Sequence, residues 1–146
     1  AQPAGCAPIA RAVAGEIAEP RIDDWSTRIS GLQLPVPPDG ALAVEAVTSS
    51  GGWGAPIPDE DAWAAQDLLA TTEGIFVEPA SALALAAVAR DAAAGRLGDR
   101  DEPCVVLSGH GLKDLGRFSA PHRRPAPTTI DEVPGRVRDW LAGVGR

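Results

Sequence analysis

The sequence predicts an α/β fold, a partial three-layer parallel sheet with flanking helices. Three observations carry that expectation. Ala80 to Ala94 is almost all Ala, Leu and Val, with Arg90 and Asp91 as its first charges, as in a helix buried among other elements. Cys104-Val105-Val106-Leu107 is a short apolar run bounded by Pro103 and Gly109, as in a strand covered on both faces. That run ends in a polar, glycine-flanked tip, Ser108-Gly109-His110-Gly111.

The elements follow in order. Ala1 to Gly5 reads as the end of a strand, and Pro8 can open a short helix over Ile9, Ala12 and Val13 that closes near Gly15. The next residues to Leu34 read as loop, closed by the stiff Pro35-Val36-Pro37-Pro38. Asp39 can cap a helix carrying Leu42, Val44 and Val47, which ends at Gly51. Ala55-Pro56-Ile57 is a short strand weakened by its proline. Pro58-Asp59-Glu60-Asp61 opens a stronger helix, its acidic first turn matching the helix dipole, with Ala65, Leu68, Leu69 and Thr72 on one face and Gly74 at its end. Ile75-Phe76-Val77 links to Glu78, a candidate cap for backbone amides. Pro79 suits the first turn of the Ala-rich helix, and Gly95 is placed to end it. Ser119 to Pro127 reads as an exposed Pro-rich linker. Thr128 or Thr129 then starts a last helix with Ile130, Val133, Val137, Trp140 and Leu141, weakened in its middle by Pro134-Gly135. Trp140 is expected to pack this tail down.

Ser108 falls where a parallel strand would end, and open α/β sheets bind ligands outside those carboxyl ends. A hydroxyl there can donate to, or accept from, a ring nitrogen. Gly109 and Gly111 let the backbone turn and a ligand come close. The alternative is that Ser-Gly-His-Gly is a tight turn and nothing more.

Gly74-Ile-Phe-Val-Glu78-Pro79-Ala80-Ser81-Ala82, followed by Val106-Leu107-Ser108-Gly109-His110-Gly111-Leu112-Lys113-Asp114, resembles the threonine synthases. These are pyridoxal-phosphate (PLP) enzymes of fold type II, related to tryptophan synthase β and to serine/threonine dehydratases. Gln2-Pro-Ala-Gly5-Cys-Ala7-Pro8-Ile9 is similar to the segment after that family's phosphate-binding loop. The resemblance covers about Ala1 to Phe118 and corresponds to the C-terminal part of a family member. It implies that 1–118 is the C-terminal half of the large PLP domain, followed by a linker and helix over 119–146. It also implies that Ser108 hydrogen-bonds the cofactor's pyridine nitrogen, with Gly109 shaping the approach. A neutral hydroxyl there leaves the ring a weaker electron sink than a carboxylate would, which suits β/γ-elimination or replacement on an amino acid. Thr27, Ser30 and Gly31 lie where the family carries a substrate-facing loop; a plain surface loop is the alternative. The family's Ile-Arg-x-Gly-Asn-Pro type segment is replaced here by Ile29-Ser30-Gly31-Leu32-Gln33-Leu34-Pro35, without the asparagine, and the substrate stays open.

A PLP enzyme needs a lysine to anchor its cofactor. The 13 basic residues include one lysine, Lys113, which lies past the strand tip in a different motif. No glycine-rich phosphate loop opens a helix. The expected partner is therefore a complementary chain or N-terminal segment carrying the lysine and loop, in an oligomer. An unpaired sheet edge would also call for one.

Composition narrows the rest. A chain of 146 residues is one domain's worth, able to bury ~70% of its unfolded surface. A hydrophobic fraction of 45% argues against disorder. No apolar run approaches the ~20 residues that span a bilayer, and no signal-peptide pattern opens the chain. The net charge of −7 argues against nucleic acid. Cys6 and Cys104 show no metal spacing, and Cys104 is expected as a small buried hydrophobe. Asp59, Glu60 and Asp61 read as capping carboxylates rather than metal ligands, since neighbours on a helix start do not converge on one ion. The cytoplasm is the expected location.

Two other functions compete. One is a non-catalytic binding or regulatory module derived from the same fold. The other is a hydrolase using Ser108 with His110 or His122, but the strand-Gly-x-Ser-x-Gly elbow is not matched.

Overall fold

The computed structural model describes residues 1–118 and 128–144. They form two compact units, Ala1–Gly116 and Arg117–Arg146. The linker expected at 119–127, with His122, lies outside the described residues.

In the first unit, β1 (Gln2–Pro3) leads into α1 (Pro8–Val13), with Pro8 in its first turn. A long irregular segment containing one 3-10 turn (Ser30–Leu32) reaches α2 (Gly40–Ser49). β2 (Pro56–Ile57) precedes α3 (Asp59–Leu68), whose last turn widens into a π turn at Leu69–Glu73 before left-handed Gly74 ends it. Then comes α4 (Pro79–Ala93), with Gly95 left-handed just beyond it. Both glycines sit at φ near +70°, which side chains disfavour.

The core lies between α3 and α4. Ala62 and Ala65 of α3 meet Ala82, Leu83, Ala86 and Ala87 of α4, with Ile29, Ile57 and Val77 closing the ends. The small side chains let the two helices pack closely. Leu83 and Ile57 are fully buried, and each contributes about 1.5–3 kcal/mol by leaving water. Gln66, also buried, donates its amide to the Val77 carbonyl at 2.6 Å, fixing the strand-like approach to α4.

The α/β class holds as a helix-rich unit with a small sheet. β1 and β2 pair in parallel, Gln2 opposite Pro56 and Pro3 opposite Ile57. The strand expected at Cys104–Leu107 is corrected: the segment forms no strand and pairs with none among the described residues. Cys104 is exposed rather than buried, and Val106 is 74% exposed. An apolar strand needs ladder partners on its edges and layers on both faces, and here Cys104–Val106 lines a groove of about 450 Å³ opposite Ala84, Ala87 and Val88 of α4. Asp39 precedes α2 without a side-chain cap bond, and Leu42 stays largely exposed.

The second unit carries α5 (Val133–Val144). Thr129 and Glu132 form the reciprocal capping box at its entrance, around a 3-10 turn at Ile130–Glu132. Pro134 falls in the first turn of α5, where it is tolerated, rather than in mid-helix. Trp140, expected to pack, is 66% exposed. Among the described residues no helix is long and apolar enough to cross a membrane.

Candidate functional site

Three segments meet at the start of α4. The first is the helix entrance itself. Glu78 is extended (φ −69°, ψ 155°), Pro79 sets the first turn, and Ser81 points back under the turn, 2% exposed.

The second is the tip, 108–114. It runs antiparallel to Phe76–Glu78, with a bridge between Val77 and His110. Glu78 N–H donates to the Gly109 carbonyl at 3.0 Å, and Gly111 N–H to the Phe76 carbonyl at 3.0 Å. The glycines are required by this contact. A Cβ on Gly109 would lie 1.8 Å from Glu78 Oε1, and one on Gly111 would lie 2.4 Å from the Phe76 ring. They admit the chain's own side chains, Glu78 against Gly109 and Phe76 against Gly111. The sequence expected Glu78 to cap backbone amides, but it makes no side-chain cap bond; its carboxylate is mostly buried and pairs with Lys113 Nζ at 3.0 Å.

Ser108 is exposed. Its N–H donates to Ser81 Oγ at 2.6 Å, Gly109 N–H reaches the same oxygen at 3.1 Å, and the two serine hydroxyls lie 3.2 Å apart. Sequence reasoning missed Ser81. The available signal was a lone hydroxyl in the first turn of an otherwise apolar helix.

The third segment is the loop from Thr27 to Leu34. Thr27 is 3% exposed and turned inward: its hydroxyl donates to Asp59 Oδ1 at 2.7 Å and accepts from Ile29 N–H at 3.1 Å. Arg28 N–H donates to the other Asp59 oxygen at 2.6 Å. Asp59 is thus a tie between α3 and the loop, and Glu60 pairs with Arg28. Among the described residues no three His, Cys, Asp or Glu side chains are grouped so that they could hold a metal ion. Ser30 and Gly31 are exposed. Ser30 Oγ donates to Asp114 Oδ2 at 3.0 Å, and Gly31 lies against Ala80. The candidate cofactor residues and Ser30 and Gly31 of the candidate substrate loop therefore flank the same helix entrance. Beneath the loop, burial pushes the Cys6 thiol above its ordinary range, partly offset by the Leu34 backbone N–H.

Among the described residues Ser108 does not pair with His110, and His122 lies outside them. His110 Nδ1 accepts the Leu112 N–H at 3.1 Å, so the ring is held by its own turn, and Ser108 bonds Ser81 instead.

The exposed Ser108 hydroxyl, 3.2 Å from that of Ser81, has the chemistry to partner an aromatic ring nitrogen. The chain's one lysine does not stand ready as an anchor, because it pairs with Glu78.

The family model described as pyridoxal-phosphate dependent enzyme matches residues 1–109. The threonine synthase of Methanocaldococcus jannaschii is 43% identical over 89 residues, covering 60% of this chain and 22% of that protein. That of Methanosarcina acetivorans is 36% identical over 144 residues, covering 97% of this chain and 35% of that protein. That of Mycobacterium leprae is 32% identical over 132 residues, covering 90% and 35%. The chain thus spans about a third or less of the length of these relatives. A match over three quarters of its length, centred on the packed unit that carries Ser108, means that the chain belongs to the pyridoxal-phosphate dependent enzymes, as a threonine synthase-like member of fold type II.

Proposed function

We propose that this chain is the cofactor-edge part of a threonine synthase-like enzyme acting on an amino acid by β/γ-elimination or replacement. It works when completed by an upstream segment or partner chain that brings the anchoring lysine and the phosphate loop. The observation that carries the reading is the convergence of Ser108 and the Ser30–Gly31 turn on the entrance of α4.

PLP, when bound, supplies the electron sink for this chemistry. The chain's own part is positional. Ser108 would present a neutral partner to the ring nitrogen, and Gly109 keeps that hydroxyl in place by admitting Glu78. Ser30 and Gly31 would form the rim that the amino acid meets, held to the tip through Asp114. Asp59 and Thr27 would keep that rim at a constant height. Holding reacting groups in one geometry is itself a large part of catalysis. The unpaired run at Cys104–Leu107 would take its place in the parallel sheet of the completed three-layer domain.

The test is reconstitution. The chain is mixed with a threonine synthase N-terminal segment bearing the lysine and phosphate loop, together with PLP. A visible cofactor band that requires both pieces, and that Ser108→Ala shifts, is the expected result. No band with any such segment would overturn the enzyme reading in favour of a binding module.

A further inference from the structure

The hydroxyl of Ser81 has a constrained hydrogen-bond count. A serine hydroxyl offers one proton and two lone pairs. The amides of Ser108 and Gly109 both donate to Ser81 Oγ, at 2.6 and 3.1 Å, and so occupy both lone pairs. The partner left for the Ser81 proton is Ser108 Oγ, at 3.2 Å. The reverse direction would load Ser81 with three donors and leave its own proton unbonded at a site 2% exposed. We infer that Ser81 is a positioning residue that fixes Ser108 as an outward-pointing donor. Ser108 accepts from Ser81 on its buried side, so its own proton is directed to the exposed side.

This decides what chemistry the tip prefers. A hydroxyl whose proton faces outward selects a hydrogen-bond acceptor over a donor. An unprotonated aromatic nitrogen fits and its protonated form does not. The tip is thereby set against protonation of the ring nitrogen by the fold, two bonds away from the ligand. The identity of that acceptor as the PLP ring nitrogen rests on the function proposed above; the hydrogen-bond direction does not.

Two measurements separate the claims. In the full chain without cofactor, amide exchange and the Ser81 hydroxyl proton are followed by NMR. Ser81→Ala is expected to speed exchange of the Ser108 and Gly109 amides by about tenfold, the size of one net hydrogen bond. Ser108→Ala, at an exposed position, should leave those amides protected but expose the Ser81 hydroxyl proton to exchange. Unchanged amides in the first variant, or an unchanged hydroxyl proton in the second, overturn the inference. In the reconstituted protein, PLP labelled with ¹⁵N in the ring reports the nitrogen's protonation. Both variants should move its signal toward the protonated form. Movement with Ser108→Ala alone overturns the role of Ser81 and leaves the proposed function standing. Movement with neither variant, or no bound cofactor, overturns the reading of Ser108, while the amide measurement still decides the hold of Ser81.

Discussion

Gly109 and Ser81 make the tip from opposite sides. Ser81 draws the backbone of Ser108 and Gly109 down by hydrogen bonds, and Glu78 fills the space a side chain on Gly109 would take. Gly109→Ala would force its methyl to within 1.8 Å of Glu78 Oε1. The carboxylate must move, and with it the pairing to Lys113. Overpacking of this kind costs about 1–3 kcal/mol. A lower denaturant midpoint at unchanged slope is expected, and an unchanged midpoint would show that Glu78 yields freely. The sequence shows a hydroxyl and two glycines at this turn. It did not reveal that the glycines admit Glu78 and Phe76, because that contact joins residues more than thirty positions apart.

Asp59 shows an element end doing two jobs. Its place in the first turn of α3 suits the helix dipole, while both its oxygens hold the loop at Thr27 and Arg28. Asp59→Ala would leave the buried Thr27 hydroxyl without its acceptor, at about 1–3 kcal/mol. Asp59→Asn, keeping one acceptor oxygen, should lose less; equal losses in chemical denaturation would contradict this account. At the entrance of α5, Glu132 is the titrating part of the cap. The Thr129 N–H, then the Thr128 and Thr129 hydroxyls, hold its carboxyl below the ordinary range. A depressed carboxyl contributes above its unfolded value, about 4.3, and the contribution is lost as pH falls through the folded value. Far-UV helicity should therefore drop on acidification through that window, and Glu132→Ala should remove the step. An identical acid profile in the variant would assign the change elsewhere.

For the whole molecule, the decisive feature is the small size of the sheet among the described residues. Among the described residues the two short parallel strands pair with each other alone, and Cys104–Val106 lines a groove along α4, in a chain spanning about a third of the length of its relatives. The proposed completion predicts that amides at Cys104–Leu107 exchange freely in the chain alone and become protected on reconstitution. Persistent free exchange in a cofactor-loaded complex would remove this run from the sheet. The helices were legible because periodicity, Pro79 and the left-handed glycines are local signals. The Cys104–Leu107 strand was legible only as a preference, since a strand needs ladder partners that no local pattern supplies.

The sequence alone therefore determined the helices, their ends, the family and the hydroxyl at the tip, all of which depend on short-range chemistry or on motifs readable as strings. Only the tertiary structure decided that Thr27 faces inward, that Asp59 ties the loop, and that Ser81 anchors Ser108. Each of those is a hydrogen bond between distant residues. A buried polar group takes whichever partner the packing brings within about 3 Å, and that choice is made when the helices close on one another.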